Sequence, residues 1–193
     1  TVLYPTQGLG IVNIRFDDDM RRAACRAYNT FTAEYFAPFA RRMTPAAVIP
    51  MYSPEEAIAE LDHAVGELGM KAAMFGSMIP RPLGPPFEGA DGPVESVWLD
   101  VLGLDSAHDY DPVWQRCLEL GISPSFHANG RGVGFGLRAA PSNFTYNHIG
   151  HFAAAGEAVC KALFFGGVTH RFPDLRFAFL EGGVAWACQL LND

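Results

Sequence analysis

The stretch from His170 to Leu191, HRFPDLRFAFLEGGVAWACQLL, limits the fold more than any other part of this chain. It reads as a short strand, Phe177 to Leu180, with apolar side chains on both faces, followed by a glutamate and two glycines. A strand apolar on both faces suits a parallel sheet covered on both sides, and strand ends in such sheets are where α/β folds carry their chemistry. Glu181 stands at that end. A carboxylate placed there calls for a metal, a cation or a hydrogen-bond donor nearby.

A second stretch has the same form. In ELGISPSFHANG, Glu119 to Gly130, Gly121 stops a helix and a short strand follows. Ser123, Ser125 and His127 alternate on one face, with Pro124 and Phe126 on the other. His127 ends this strand much as Glu181 ends the later one.

Strands and helices alternate along the rest of the chain. A strand at Val2–Tyr4 leads to a helix over 18–39 whose expected buried stripe is Met20, Ala23, Ala24, Ala27, Phe31 and Tyr35. A strand at Ala47–Met51 precedes a helix capped by Ser53, with Pro54 in its first turn and Glu56 completing a capping box. Ile58, Leu61, Val65 and Leu68 form its stripe, and Gly69 stops it. A strand at Ala72–Phe75 follows. From Gly76 to Tyr110 the periodicity fails among five prolines and several glycines, so this segment is read as a long lid or substrate loop, or else as a surface excursion. Trp98, Leu99, Val101 and Leu102 should pack part of it down. Asp111-Pro112 opens a helix to Leu120 with Asp111 as its cap, and the strand bearing His127 comes next. A glycine-rich loop, 130–136, precedes a helix expected over 142–165 with Ile149, Phe152, Gly156, Val159 or Cys160, and Leu163 buried.

Five strands alternating with helices imply a parallel α/β sheet, either doubly wound or part of a (β/α)8 barrel. No G-x-G-x-x-G follows a strand, and the spacing of Gly132, Gly134 and Gly136 is wrong for a phosphate cradle. The polar alternation of Ser123, Ser125 and His127 favours the barrel.

Composition narrows the partners. The 193 residues suit one domain or part of a larger one; 49% are hydrophobic and 18% charged, enough for a large core. A net charge of −7 with no basic run argues against nucleic acid, and no apolar run approaches the ~20 residues of a membrane span. Cys25, Cys117, Cys160 and Cys188 form no C-x-x-C motif and read as small apolar residues in a reducing compartment. With no signal-peptide pattern, the expected location is cytoplasmic. Neither end carries a cap or tail, so the chain is expected to be a segment of a longer protein.

Three stretches together resemble the amidohydrolase-related family, in the branch that includes amino-carboxymuconate-semialdehyde decarboxylase and the resorcylate-type decarboxylases. They are MTPAAVIPMYSPEEAIAELDHAVGELGMKAAMF (Met43–Phe75), HDYDPVWQRCLELGISPSFHANG (His108–Gly130) and FFGGVTHRFPDLRFAFLEGGVAW (Phe164–Trp186). The resemblance implies a partial (β/α)8 TIM barrel, about strands two to six with their helices, as a single domain with a long loop insertion at 76–110. It implies a divalent metal at the strand exits, zinc foremost, with manganese or iron as alternatives. His127 holds the place of the metal-ligating histidine that ends the family's fifth strand. Many members end the sixth strand in a catalytic histidine; Glu181 stands there in this chain. The ligand pair of the first strand and the aspartate of the eighth have no counterpart in these 193 residues.

His127 is therefore the candidate metal ligand, against the plain alternative of a histidine bonded to a backbone carbonyl. Glu181 is the candidate catalytic acid–base or water-orienting group, against a carboxylate satisfied by neighbouring backbone N–H groups. His148 and His151, three apart on one helix, and Asn129 and Arg131 in the loop after His127 are candidates for substrate contact. Arg138 is a weaker one, His108 is undecided, and His63 and His170 read as structural. The expected function is metal-dependent hydrolysis or non-oxidative decarboxylation of a small carboxylic or aromatic substrate, by a protein free to form homo-oligomers. The rival is a non-catalytic barrel fragment without a full metal site.

Overall fold

The structure, a computed structural model, describes residues 1–6, 8–13, 17–89, 92–94, 96–128 and 142–193. Strand β1 (Val2–Leu3) leads through a 3-10 turn (Gly8–Asn13) to helix α1 (Asp18–Phe36). Strand β2 (Thr44–Ile49), helix α2 (Pro54–Leu61), a π-helical extension (Asp62–Glu67) and strand β3 (Ala72–Gly76) follow. Four short strands come next: β4 (Ile79–Pro82), β5 (Phe87–Gly89), β6 (Gly92–Val94) and β7 (Val97–Asp100). Helix α3 (Asp111–Leu120) and strand β8 (Pro124–His127) precede helices α4 (Phe144–His148), α5 (His151–Phe165) and α6 (Val168–Arg171). Strand β9 (Ala178–Phe179) and helix α7 (Ala185–Asn192) close the order.

The main sheet runs β1-β2-β3-β8-β9, every pair parallel, and curls into a half-barrel. Register puts Ile49, Phe75, Phe126 and Phe179 on one level and Val48, Met74, Ser125 and Ala178 on the level before it. Alternation sends these two levels to opposite faces. Ile49, Phe75 and Phe126 join the larger core with Leu61, Val113, Trp114 and Leu163 from the covering helices. Val48 and Met74 join a smaller cluster with Val12 and Cys25. The final strand is less enclosed than its composition predicts: β9 lies at the sheet's edge and Phe177 to Leu180 are half-buried.

Helix α1 reverses the expectation for its buried face. Met20, Phe31 and Tyr35 are 52%, 64% and 61% exposed, while Arg21, Cys25, Asn29 and Thr32 are buried. The cause lies in β1, which pairs with β2 only at Thr44 and Pro45 and leaves Val48 without a strand partner on that side. The Asn29 carboxamide fills the gap, donating to Val48 O at 2.9 Å and accepting from Val48 N at 2.7 Å. Arg21 donates to Glu56 at 2.9 Å and to Asp18 at 2.8 Å, and its guanidinium lies 3.7 Å from the Tyr52 ring centroid. Burial works to lower the Arg21 pKa, but hydrogen bonds to Glu56 and Asp18 outweigh it and raise it. A polar face can point inward when its groups find partners. Asn29→Ala should destabilise the fold by about 1–3 kcal/mol, since both Val48 groups lose their partner. Urea unfolding checks this; a change within error would mean that water replaces the amide.

The segment after β3 is not structureless. Strands β4 and β7 pair antiparallel, as do β5 and β6. Pro80 and Pro82 fit because a two-stranded arm is all edge, where a missing N–H costs little. Asp100, fully buried, anchors the arm's return. It accepts from Arg81 Nε (3.0 Å), Leu102 N (2.9 Å), Ser106 Oγ (2.8 Å) and Ala107 N (3.3 Å). Arg81 also donates to Tyr52 O at 2.7 Å and Tyr110 Oη at 2.9 Å, tying the arm to the exit of β2.

Other differences are local. Asp111 is the first residue of α3 rather than its cap, and its carboxylate meets Arg171 at 2.7 Å. Glu56 accepts from Tyr52 N at 2.6 Å, one residue earlier than a capping box requires. The helix expected over 142–165 breaks at Gly150 (φ +81°), which leaves Ile149 75% exposed. Burial pushes the Cys25 and Cys117 thiols up to about 12, so both remain protonated and unreactive at neutral pH.

Candidate functional site

Parallel pairing carries His127 and Glu181 to the same end of the sheet. Ser77 N donates to His127 O at 3.1 Å, extending the β3–β8 ladder to the last residue of β8. Leu180 N donates to Phe126 O at 2.9 Å, extending the β8–β9 ladder to the residue before Glu181. Both candidate side chains therefore leave the sheet where its hydrogen bonding ends.

His127 is 6% exposed. Its Nδ1 lies 2.9 Å from Ala128 O, and a carbonyl only accepts, so Nδ1 carries the hydrogen. In the neutral ring Nε2 then holds a lone pair. That atom is buried and has no hydrogen-bond partner, although Glu181 Oε2 lies 3.4 Å away. The separation puts the two groups within reach of one small ligand without joining them in a directed bond. The Glu181 side chain is 58% exposed, and its backbone holds φ +63°. That left-handed conformation costs a residue with a Cβ about 1–2 kcal/mol, and such strain gathers at functional sites.

Helix α5 brings the next layer. The Phe152 ring stands edge-on to His127, with centroids 5.5 Å apart and planes at 74°. It also meets His148 at 5.0 Å and 80°, and His151 at 5.5 Å and 61°. His148 is exposed and stacks on Phe144 at 5.0 Å, whereas His151 is buried. The structure thus gathers His127, His148 and His151 around one aromatic ring, with Glu181 beside His127. Asn129, Arg131 and Arg138, with the glycine-rich loop 130–136, lie outside the described residues.

Two features had no separate signal in the sequence. Phe152 was legible only as part of an apolar stripe, a pattern that marks burial and not its neighbours. The Arg81–Asp100–Tyr110 cluster joins residues 19 and 29 positions apart along the chain, which no local spacing announces.

Among the described residues no three His, Cys, Asp or Glu side chains group closely enough to hold a metal. His127 Nε2 nevertheless has what one ligand position needs: an available lone pair, burial, and a tautomer fixed through the other nitrogen.

A parallel half-barrel with a histidine and a glutamate at its strand exits is compatible with a metal-dependent barrel enzyme. The amidohydrolase family model matches residues 3–191. The chain belongs to the amidohydrolase family. Among solved structures, an amidohydrolase of Mycobacterium avium subsp. paratuberculosis is 22% identical, with a TM-score of 0.69 over 99% of this chain and 46% of its own. A dihydroxybenzoic acid decarboxylase of a Polaromonas species, with bound manganese and the inhibitor 2-nitroresorcinol, is 22% identical, with a TM-score of 0.58 over 86% of this chain and 46% of its own. The 5-carboxyvanillate decarboxylase of Sphingomonas paucimobilis is 15% identical, with a TM-score of 0.59 over 91% of this chain and 44% of its own. The chain spans about half the length of these structures. No curated protein matches it. At these identities the likeness establishes the partial TIM barrel. No helix among the described residues is long and apolar enough to cross a membrane.

Proposed function

We propose that this chain carries part of the active site of a metal-dependent hydrolase or non-oxidative decarboxylase acting on a small carboxylic or aromatic substrate. The observation that carries the reading is the buried, unpartnered Nε2 of His127, 3.4 Å from the Glu181 carboxylate at the sheet's carboxyl end. A divalent ion held by His127 would supply Lewis acidity, polarising an oxygen or lowering the pKa of water to about 7. Zinc suits an imidazole ligand, and the manganese in the Polaromonas enzyme makes that ion the other choice.

The chain's own residues divide the remaining work. The Ala128 carbonyl fixes the His127 tautomer. Glu181, half in solvent, orients or moves a proton through Oε2. His148, exposed beside Phe144, offers a polar contact to substrate, whereas His151 is buried against Phe152 and has less access to it. Asn129 and Arg131 follow the metal ligand in sequence, and Arg131 suits a substrate carboxylate.

Sequence outside these 193 residues supplies the other ligands in this reading, because catalytic metal sites generally use about three protein ligands and the described residues offer no such group. The expected result is that the 193-residue chain alone shows no substantial turnover, while the longer polypeptide that carries it turns over with metal bound. Metal analysis and a screen of aromatic acids, lactones and amides on both forms check this. Robust metal-dependent activity of the short chain would show that its ligand set is complete and the strand assignment wrong.

A further inference from the structure

We propose that Phe152 is the positioning residue of this site: the first turn of α5 sets the orientation of His127 and, through the neighbouring Ala153, the place of Glu181. The inference rests on the reading of His127 as a metal ligand and deepens it.

His127 and Glu181 leave different strands and are not bonded to each other. The His127 ring is tied at Nδ1 alone, by a carbonyl one residue away. One hydrogen bond leaves an imidazole free to swing about that contact. The ring of Phe152, nearly perpendicular at 5.5 Å, blocks the swing from the side. Phe152 is itself held, because His148 and His151 pack against it from the same end of the helical segment.

The next residue reaches the other candidate. A Cβ built on Gly182 would lie 3.1 Å from Ala153 Cα, 3.3 Å from Ala153 N and 2.9 Å from Trp186 Nε1. The turn that follows Glu181 therefore lies directly against the first turn of α5, with room for a glycine and little more. Phe152 touches the imidazole, and Ala153 touches the turn that presents the carboxylate. One helical turn thus holds both partners of the 3.4 Å separation.

The test compares Phe152→Tyr, Phe152→Leu and Phe152→Ala in the longest polypeptide carrying this segment. The first readout is the imidazole nitrogen NMR spectrum of the metal-free protein, recorded well above the ordinary histidine pKa of about 6.5 and assigned with His127→Ala. The second is zinc and manganese affinity by titration calorimetry, with thermal unfolding alongside. Wild type and Phe152→Tyr should show His127 as the single Nδ1–H tautomer. Phe152→Leu and Phe152→Ala should show mixed tautomers and bind metal roughly 10- to 100-fold more weakly, the loss expected when a ligand's orienting partner goes. Phe152→Leu keeps apolar bulk and should unfold near the wild-type temperature.

The proposal is overturned if the leucine variant keeps both the single tautomer and the metal affinity. It is overturned equally if the variants lose only thermal stability, or if both truncations fail to fold, since Phe152 would then be a packing residue. Should wild type bind no metal, the ligand reading of His127 fails by itself, and the tautomer comparison still decides whether Phe152 positions the ring.

Discussion

His127→Ala should lower metal content and activity together while leaving the fold in place. The imidazole contributes one local hydrogen bond, to Ala128 O, and a buried contact with Phe152, so its removal should cost the fold about 1–3 kcal/mol. In the proposed reading, its role as a metal ligand carries far more weight. Loss of an outer-shell partner costs a metal site roughly 10- to 100-fold in affinity, and loss of a direct ligand should exceed that. Metal content measured by elemental analysis after dialysis should fall in proportion to turnover in the longer polypeptide. Normal metal stoichiometry in the variant would refute the assignment, and the buried Nε2 would then need another partner to explain it.

The parallel half-barrel was legible because its strands obey rules that operate within a few residues. Ala72 to Gly76 is short and apolar, Pro124 to His127 is short and alternates, both are bounded by glycine or proline, and each follows a helix with its own stop at Gly69 or Gly121. Those signals survive folding because the sheet buries both faces of these strands. Helix α1 departs from its sequence pattern for the opposite reason. Its inward face is decided by the short β1 and by the distant partners Val48 and Glu56, which make Asn29 and Arg21 better inward residues than Phe31 or Tyr35. The arm from Ile79 to Asp100 was missed as structure because its prolines stand at edge positions that tolerate them, and because Asp100 finds its donors only after the chain has returned.

The site was partly legible for a related reason. A short strand that follows a helix stop and ends in a reactive residue presents that residue at the sheet's carboxyl end, whatever the rest of the fold does. His127 and Glu181 could be placed at one end of the sheet by this rule, and the structure sets them 3.4 Å apart. Their support could not be read in the same way. Phe152 sits where a break at Gly150 starts a new helix, and the spacing read across that break described one continuous helix instead. The sequence pattern gave Phe152 its apolar character and not its contact with His127.

Glu181→Gln should fold normally, bind metal and lose about 10²-fold or more in turnover. The substitution keeps the side chain's size and its capacity to hydrogen-bond, and removes the charge and the ability to exchange a proton. Backbone strain does not distinguish the two forms, because glutamine meets the same penalty at φ +63° as glutamate. A comparison with Glu181→Gly separates fold from function further. Glycine adopts this conformation freely, so the glycine variant should be as stable as wild type or up to about 1 kcal/mol more stable, and equally impaired in turnover. That combination would show that a carboxylate is retained at a position where the backbone favours glycine, with its chemistry as the reason. The opposite pattern, turnover retained with a large drop in thermal stability for both variants, would make Glu181 a structural carboxylate that ties down the turn at Gly182 and Gly183.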